Sequence, residues 1–246
     1  MQQTPQPAND RLYKDLARRI LAEIIAGKYP VGSRLPAERE LAVIYEVSRP
    51  TVREAVIALE VHGIVEVRIG SGAYVVRLPD ENDQPGADLS AFELTEARLI
   101  IESEAAALAA VMATDAEIAA IAGHVDAIAR ENRNPAGAEA ADRAFHLAIA
   151  AATRNGALLG AITSLWDMRE TSAEAALLHE KARSANVMPV VDEHSAVLAA
   201  LRARDGEAAR AAMRTHLASV LEALLFATEG EAAIEERRNR LKTVTG

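Results

Sequence analysis

The chain has 246 residues, of which 50% are hydrophobic, only 3% are aromatic and none is cysteine, and its formal net charge is −9. This length predicts two domains, and the abundance of alanine beside so few aromatic residues favours a mainly α-helical fold. The lack of cysteine excludes disulfides and thiolate metal sites. Because neither a secretion signal nor an 18-residue apolar span is present, we expect a cytoplasmic protein with no membrane partner.

The acidic charge is unevenly distributed along the chain. Residues 1–78 hold 11 basic and 9 acidic residues, a net charge of +2, whereas residues 79–246 hold 16 basic and 27 acidic residues, a net charge of −11. The overall acidity therefore does not exclude nucleic acid as a partner of the first part. Because this part has a surplus of only two positive charges, it needs clustered arginines and dimerisation to bind DNA tightly.

The first predicted domain, residues 10–78, has the element order of a winged helix-turn-helix. Apolar periodicity and capping residues predict three helices, over residues 12–25, 37–45 and 48–62. The third begins at Ser48, a favourable N-cap, and tolerates Pro50 because proline in the first turn sacrifices no hydrogen bond. Two β-branched runs on either side of Gly70-Ser71-Gly72 predict a β-hairpin, which forms the wing.

The remainder of the chain is predicted to be an all-helical bundle. Residues 79–90 are polar, with two prolines and a glycine, and form the predicted linker. The helical domain covers residues 91–228, and a charged tail, residues 229–246, follows it. Its helices are expected near residues 92–112, 115–131, 137–153, 156–180, 187–203 and 206–227. Because the connections between them are short, neighbouring helices are expected to pack antiparallel.

Several residues around the third helix have the chemistry of DNA readers. The start of a recognition helix meets base edges, where Arg49 and Arg53 can each bridge guanine O6 and N7, and Thr51 can bond a phosphate or touch a thymine methyl group. Arg39, on the preceding helix, can hold a phosphate or a base edge. Gly70 makes the wing tip slim enough to approach the minor groove. The alternative is that the arginines are ordinary solvated side chains of a three-helix domain.

The first domain resembles the N-terminal domain of the GntR family of transcription regulators. The resemblance is carried by the segments LPAERELA (35–42), SRPTVREA (48–55) and GSG (70–72). It implies a winged helix-turn-helix that binds double-stranded operator DNA. The residues that match DNA-contacting positions of the family are Arg39, Arg49, Thr51, Arg53 and, in the wing, Gly70.

One carboxylate and three of the six histidines of the chain are spaced as a metal site could be. Asp142 and His146 are four residues apart on one predicted helix, so they project from the same face. His194 and His216 lie on later helices, and the interior of a bundle can bring such side chains together. This donor set suits Zn²⁺, Mn²⁺, Ni²⁺ or Fe²⁺. Spacing alone favours the alternative, in which the histidines are separate and bond to whatever lies nearby.

The second domain resembles the FCD effector domain of the FadR subfamily. The segments that carry the resemblance are FELTEARLIIESEAAALAA (92–110), ADRAFHLAIAAATRN (141–155) and VVDEHSAVLAALRARDGEAARAAMRTHL (190–217). It implies a homodimer and a bound divalent cation, for which Zn²⁺ is the first expectation. The residues that match the metal ligands of the family are Asp142, His146, His194 and His216.

Arg98 is the candidate effector-binding residue. Considered alone, it lies four residues before Glu102, and a simple intrahelical ion pair is worth only a few tenths of a kcal/mol. The resemblance instead implies a clamp for an effector carboxylate, since a guanidinium group can bind both oxygens at once. A metal ion with open coordination positions would bind another oxygen of the same effector molecule. A small hydroxy acid or sugar acid is therefore the expected effector.

Two segments, FELTEARLIIE (92–102) and the stretch 178–205, are similar to regulators of hexuronate and aldonate catabolism. We therefore expect a transcription regulator, most simply a repressor, that is controlled by a hexuronate, an aldonate or a similar hydroxy acid. One alternative is a metal-dependent enzyme with an appended DNA-binding module, which would also need a general base. Another is that the cation is purely structural and the effector binds elsewhere.

Overall fold

The computed structural model describes residues 12–68, 70–80, 83, 89–133, 140–184 and 190–226. The chain divides into two compact units between Ser90 and Ala91. This division falls where the predicted linker ends. The predicted charged tail, residues 229–246, lies outside the described residues.

The described part of the N-terminal unit consists of three helices and one β-hairpin. These elements are α1 (Leu12–Ile25), α2 (Glu38–Tyr45), α3 (Arg49–Val61), β1 (Val65–Arg68) and β2 (Gly72–Val75). The strands pair antiparallel, with Val65 opposite Val75. Arg34 forms an isolated bridge to Tyr74, so the chain before α2 runs along the free edge of β2. The predicted winged helix-turn-helix is confirmed.

Helix α1 packs on α3 and supplies one side of the core of this unit. Its buried residues are Tyr13, Leu16, Ala17, Ile20 and Ile24. The apolar pattern also predicts Leu12 and Ile25 on the buried stripe, but they are 67% and 65% exposed. Both lie at the ends of the helix, where the stripe drifts off the core, and Tyr13 contributes to the core in the first turn.

The turn between α2 and α3 fixes the start of the recognition helix. Glu46 adopts a left-handed conformation (φ 55°) that ends α2. Ser48 then caps α3 by accepting a hydrogen bond from the Thr51 backbone at 3.3 Å, which satisfies one of the unpaired amides at the helix start. This turn places the first residues of α2 and of α3 side by side.

The helical unit contains seven helices in its described part. They are α4 (Ala91–Met112), α5 (Asp115–Glu131), α6 (Ala140–Ala152), α7 (Gly156–Thr171), α8 (Ala173–Ser184), α9 (Val191–Arg202) and α10 (Gly206–Phe226). The predicted helical bundle is confirmed. The predicted helix over 156–180 is two helices, because Ser172 has extended backbone angles (φ −73°, ψ 121°) that interrupt it. The predicted helix starts near residues 137 and 187 lie outside the described residues.

Helix α4 is the central element of the helical unit. It packs against α10, α7, α6 and α9. A glycine lets α10 approach α4 closely, because a Cβ atom added at Gly206 of α10 would lie 3.1 Å from the Ala107 carbonyl oxygen of α4. Within the described residues, no helix combines the length and the apolar character needed to cross a membrane.

Candidate metal centre and DNA-binding groove

Four buried side chains from three helices converge inside the helical unit. Asp142 and His146 lie one turn apart on α6, His194 lies in the first turn of α9, and His216 lies on α10. One potential ligand atom of each residue lies within 4.8 Å of those of the other three. All four are less than 9% exposed. The fold thus brings together all four residues that the sequence suggests as metal ligands.

Each histidine of this cluster directs its Nδ1 atom away from the other members. Nδ1 of His194 lies 2.9 Å from the Val190 carbonyl oxygen, Nδ1 of His216 lies 3.0 Å from a Glu193 carboxylate oxygen, and Nδ1 of His146 forms an ion-pair contact with a Glu102 carboxylate oxygen. A carbonyl or carboxylate oxygen can only accept, so each contact places a proton on Nδ1. The Nε2 atom of each neutral ring is then left as a lone-pair donor.

These Nε2 atoms face one another and the Asp142 carboxylate. The Oδ1 atom of Asp142 lies 2.8 Å from Nε2 of His194 and 3.6 Å from Nε2 of His146. The Nε2 atoms of His146 and His216 are 3.3 Å apart. These converging lone pairs repel one another unless protons or a metal cation lie among them. Three imidazoles and one carboxylate, each imidazole held from behind by an acceptor, fit a divalent transition metal.

The electrostatics of the cluster suit a cation. Burial, aided by the charges of His146 and His194, lowers the pKa of His216 to about 4, so that this ring is neutral at pH 7. Burial opposes ionisation of Asp142, yet its contacts with His146 and His194 hold its pKa well below the usual value. Although burial lowers the pKa of His146, the carboxylates of Glu102 and Asp142 raise it overall, so a metal ion competes with a proton there.

A buried arginine adjoins the cluster through Glu102. Arg98 is 2% exposed, and its Nε atom donates to Oε1 of Glu102 at 2.7 Å. The intrahelical ion pair therefore exists, but it is buried at both ends rather than solvated. The guanidinium carbon lies 3.9 Å from the centroid of the Trp166 ring. No described residue accepts a hydrogen bond from the two terminal nitrogens of Arg98, so they remain available to a ligand.

The N-terminal unit carries a groove between the start of α2, the start of α3 and the wing. Arg39 and Arg49 line it and are exposed, with 60% of the Arg49 side chain accessible. Gly70, at the exposed wing tip, has a left-handed backbone (φ 71°) that favours glycine. Three of the predicted DNA-contacting residues thus lie on one accessible basic surface.

Arg53 and Thr51 are placed differently. Arg53 is buried and donates through Nε and Nη2 to the two carboxylate oxygens of Glu38, at 3.0 and 2.6 Å. The pair fastens α3 to α2, and Arg53 lines the groove beside Arg39 and Arg49. The hydroxyl of Thr51 lies 2.8 Å from that of Ser48, within the cap of α3. Both residues contribute to the shape of the recognition helix.

Sequence reasoning missed Arg34. This exposed residue lines the same groove, and its guanidinium group lies against Gly72. A Cβ atom at Gly72, whose φ is +106°, would be 2.7 Å from Nε of Arg34. The signal was available in the sequence as a basic residue just before Leu35-Pro36, but only the bridge between Arg34 and Tyr74 shows that it lies beside the wing.

Two family models match the chain. The model of the gntR family of bacterial regulatory proteins matches residues 12–75, and that of the FCD domain matches residues 93–219, more than half of the chain. The protein belongs to the GntR family and carries an FCD domain. It is therefore a DNA-binding transcription regulator and not an enzyme, which confirms the prediction from sequence and disfavours the enzymatic alternative.

Curated relatives match along most of the chain. The Uxu operon transcriptional regulator of Escherichia coli K12 is 38% identical and covers 87% of each chain. The Exu regulon transcriptional regulator of the same organism is 39% identical and covers 84% of this chain and 82% of its own. The Uxu operon regulator of Haemophilus influenzae is 35% identical, and the match covers 86% of this chain and 81% of its own.

Proposed function

We propose that this protein is a homodimeric repressor that releases its operator when a sugar acid, most simply a hexuronate, binds in the helical unit. The single observation that carries the proposal is the convergence of four metal-ligand atoms next to an arginine with open terminal nitrogens. The similarity to Uxu and Exu regulators over more than four fifths of the chain supports the class of acid.

The DNA-binding part of the proposal rests on the groove of the N-terminal unit. Arg49 reads a base edge in the major groove, Arg39 holds a phosphate or a base edge, and Gly70 lets the wing approach the minor groove. Thr51 contacts a phosphate or a thymine methyl group if it leaves the cap. Arg53 supports the recognition helix through Glu38 and, from its place in the same groove, bridges a guanine.

The effector site combines a cation with Arg98. Asp142, His146, His194 and His216 hold the ion, which we expect to be Zn²⁺ because a buried site with three imidazoles suits it. When bound, the cation supplies a positive charge that attracts an oxygen of the acid. Arg98 binds the acid carboxylate with its two terminal nitrogens, in the bidentate geometry that distinguishes arginine from lysine.

Dimerisation is proposed through the helical unit. A net charge of +2 on residues 1–78 is too small for a single recognition helix to bind DNA tightly. Helix α4 exposes Ile100, Val111 and Met112 at 64%, 68% and 45%, an apolar surface that a second copy could cover. Binding of the acid must then favour a dimer whose recognition helices no longer match the two half-sites.

The testing experiment is a fluorescence-anisotropy titration of the zinc-loaded protein on DNA from upstream of its own gene. Uronates, aldonates and small hydroxy acids are added in turn. We expect one sugar acid to weaken DNA binding by about 5–150-fold, the usual range of allosteric coupling. If no acid in the panel changes the affinity for a DNA fragment that the protein binds specifically, the proposed effector class is wrong.

Chelation distinguishes a sensing cation from a structural one. If the cation takes part in effector binding, the chelator-treated protein no longer responds to the acid. If chelation lowers the thermal stability while the acid still releases DNA, the cation only fastens α6, α9 and α10 together.

A further inference from the structure

We infer that Glu102 is a positioning residue that serves the effector arginine and a metal ligand at the same time, so that acid binding and metal binding are coupled through one carboxylate. The coupling part of this inference rests on the proposed function. The metal-affinity part rests on the contacts of Glu102 alone.

The two oxygens of Glu102 face different partners. Oε1 accepts from Nε of Arg98 at 2.7 Å, one turn away on α4. Oε2 contacts Nδ1 of His146, which lies on α6. Both Glu102 and Arg98 are 2% exposed, and His146 is 1% exposed, so water does not compete for these contacts. A single carboxylate thus joins the candidate effector clamp to the metal cluster.

Only an ionised carboxylate can fill this position. Oε1 accepts from the permanently charged guanidinium group of Arg98, and Oε2 faces the ring nitrogen of His146, so both oxygens meet a donor. An ionised carboxylate accepts at both oxygens, whereas an amide accepts at one and donates at the other. In Glu102→Gln, the amide NH₂ group would therefore face a donor, either Arg98 or His146.

Each contact of Glu102 has a distinct consequence. On one side it holds Nε of Arg98, while the Trp166 ring centroid lies 3.9 Å from the guanidinium carbon, so the plane of the guanidinium group is fixed and no described residue accepts from its terminal nitrogens. On the other side it fixes the proton of His146 on Nδ1, so that Nε2 is directed toward Asp142 and His216. Loss of the carboxylate would loosen both groups together.

Thermodynamic linkage makes the coupling between acid binding and zinc binding measurable. If the acid raises the affinity for zinc, zinc must raise the affinity for the acid by the same factor. We expect this factor to exceed one in the wild-type protein and to fall toward one in Glu102→Gln. A purely structural role for Glu102 would lower the stability without changing the factor.

The first test compares zinc affinity in the full-length protein without any acid. Glu102→Gln is compared with the wild type and with Glu104→Gln, a control on the same helix whose carboxylate is 61% exposed and binds Arg210 at 2.8 Å. Zinc is titrated against a competing chelator. We expect Glu102→Gln to bind zinc about 10–100-fold more weakly, as is usual when a partner behind a ligating histidine is lost, and Glu104→Gln to bind it as the wild type does.

Unchanged zinc affinity in a folded Glu102→Gln variant would overturn the inference. Circular dichroism verifies the fold. If Glu102→Gln does not fold, Glu102→Asp provides the test, because it keeps the charge but withdraws the carboxylate by one methylene group. We expect it to bind zinc more weakly than the wild type, and wild-type affinity would overturn the inference equally.

The second test measures the coupling with D-glucuronate as the probe. Trp166 is the only tryptophan of the chain and packs on Arg98, so its fluorescence reports binding at that site. The glucuronate affinity is measured with and without zinc in the wild type and in Glu102→Gln. If zinc changes the glucuronate affinity by the same factor in the two proteins, the proposed coupling through Glu102 is wrong. A wild type that binds zinc but no acid refutes the proposed effector, while the zinc comparison still decides the role of Glu102.

Discussion

The two functional regions of this protein each contain a buried arginine paired with a glutamate, but the two pairs have different structural roles. Arg53 and Glu38 join α3 to α2 across 15 residues of sequence, and both carboxylate oxygens bind the same guanidinium group. Arg98 and Glu102 are one helical turn apart, and the second oxygen of Glu102 goes to His146 instead. The first pair joins two helices and shapes a surface. In the second pair no described residue accepts from the terminal nitrogens of Arg98, and Glu102 contacts the metal cluster.

This difference predicts where substitutions act. The DNA-binding groove presents exposed side chains on helices that the Arg53–Glu38 pair holds together. Substitutions there can therefore change DNA affinity and stability separately. In the helical unit the ligands themselves are buried, so removing one changes metal binding and stability together.

The largest effect is expected for His194→Ala, which removes one of the four converging ligands. The wild type should retain zinc through dialysis and gain about 2.7 kcal/mol of stability at a zinc concentration 100 times the dissociation constant. The variant should lose both the bound zinc and the zinc-dependent gain in stability. Elemental analysis and thermal unfolding with and without zinc are the measurements. Full metal content in the variant would show that His194 is not a required ligand.

The next effect, on the stability of the N-terminal unit alone, is expected for Arg53→Ala. The variant leaves the Glu38 carboxylate without its bidentate partner, and hydrogen bonds to charged groups are worth about 1.5–3 kcal/mol. The N-terminal unit should unfold more easily, and DNA affinity should fall with it. Denaturant unfolding followed by circular dichroism measures the change. Weakened DNA binding at unchanged stability would instead make Arg53 a reader of bases with no part in the stability of the unit.

Arg49→Ala provides the matched case on the exposed side of the same groove. The Arg49 side chain is 60% accessible, so its removal should change the stability of the N-terminal unit little. Specific DNA affinity should fall by about 1–3 kcal/mol for the loss of a bidentate base contact. Gel-shift titrations on specific and unrelated DNA check this. Equal titration curves for the variant and the wild type would remove Arg49 from the recognition surface.

Local patterns predicted most of the fold. Apolar periodicity, the Ser48 cap and the glycine turn of the wing are encoded within a few residues, so they could be read from the sequence. The break at Ser172 could not be, because the surrounding residues favour helix on both sides and only the observed backbone angles interrupt it. The exposure of Leu12 and Ile25 was also missed, since periodicity does not show where a stripe leaves the core.

The candidate site was predictable only in part. The spacing of Asp142 and His146 placed them on one face, but His194 and His216 could be assigned to the same cluster only by family resemblance. Glu102 was seen only as an ion-pair partner of Arg98, because its contact with His146 depends on how α4 packs against α6. Such contacts between distant segments leave no local pattern in the chain.

The central claim is that an acid bound at Arg98 controls DNA binding from the helical unit. The most direct measurement is operator affinity by fluorescence anisotropy, with zinc present and D-glucuronate titrated, for the wild type and Arg98→Ala. We predict that both proteins bind DNA equally without the acid and that only the wild type is released, by about 5–150-fold. Equal release of the wild type and Arg98→Ala by the acid would contradict this account.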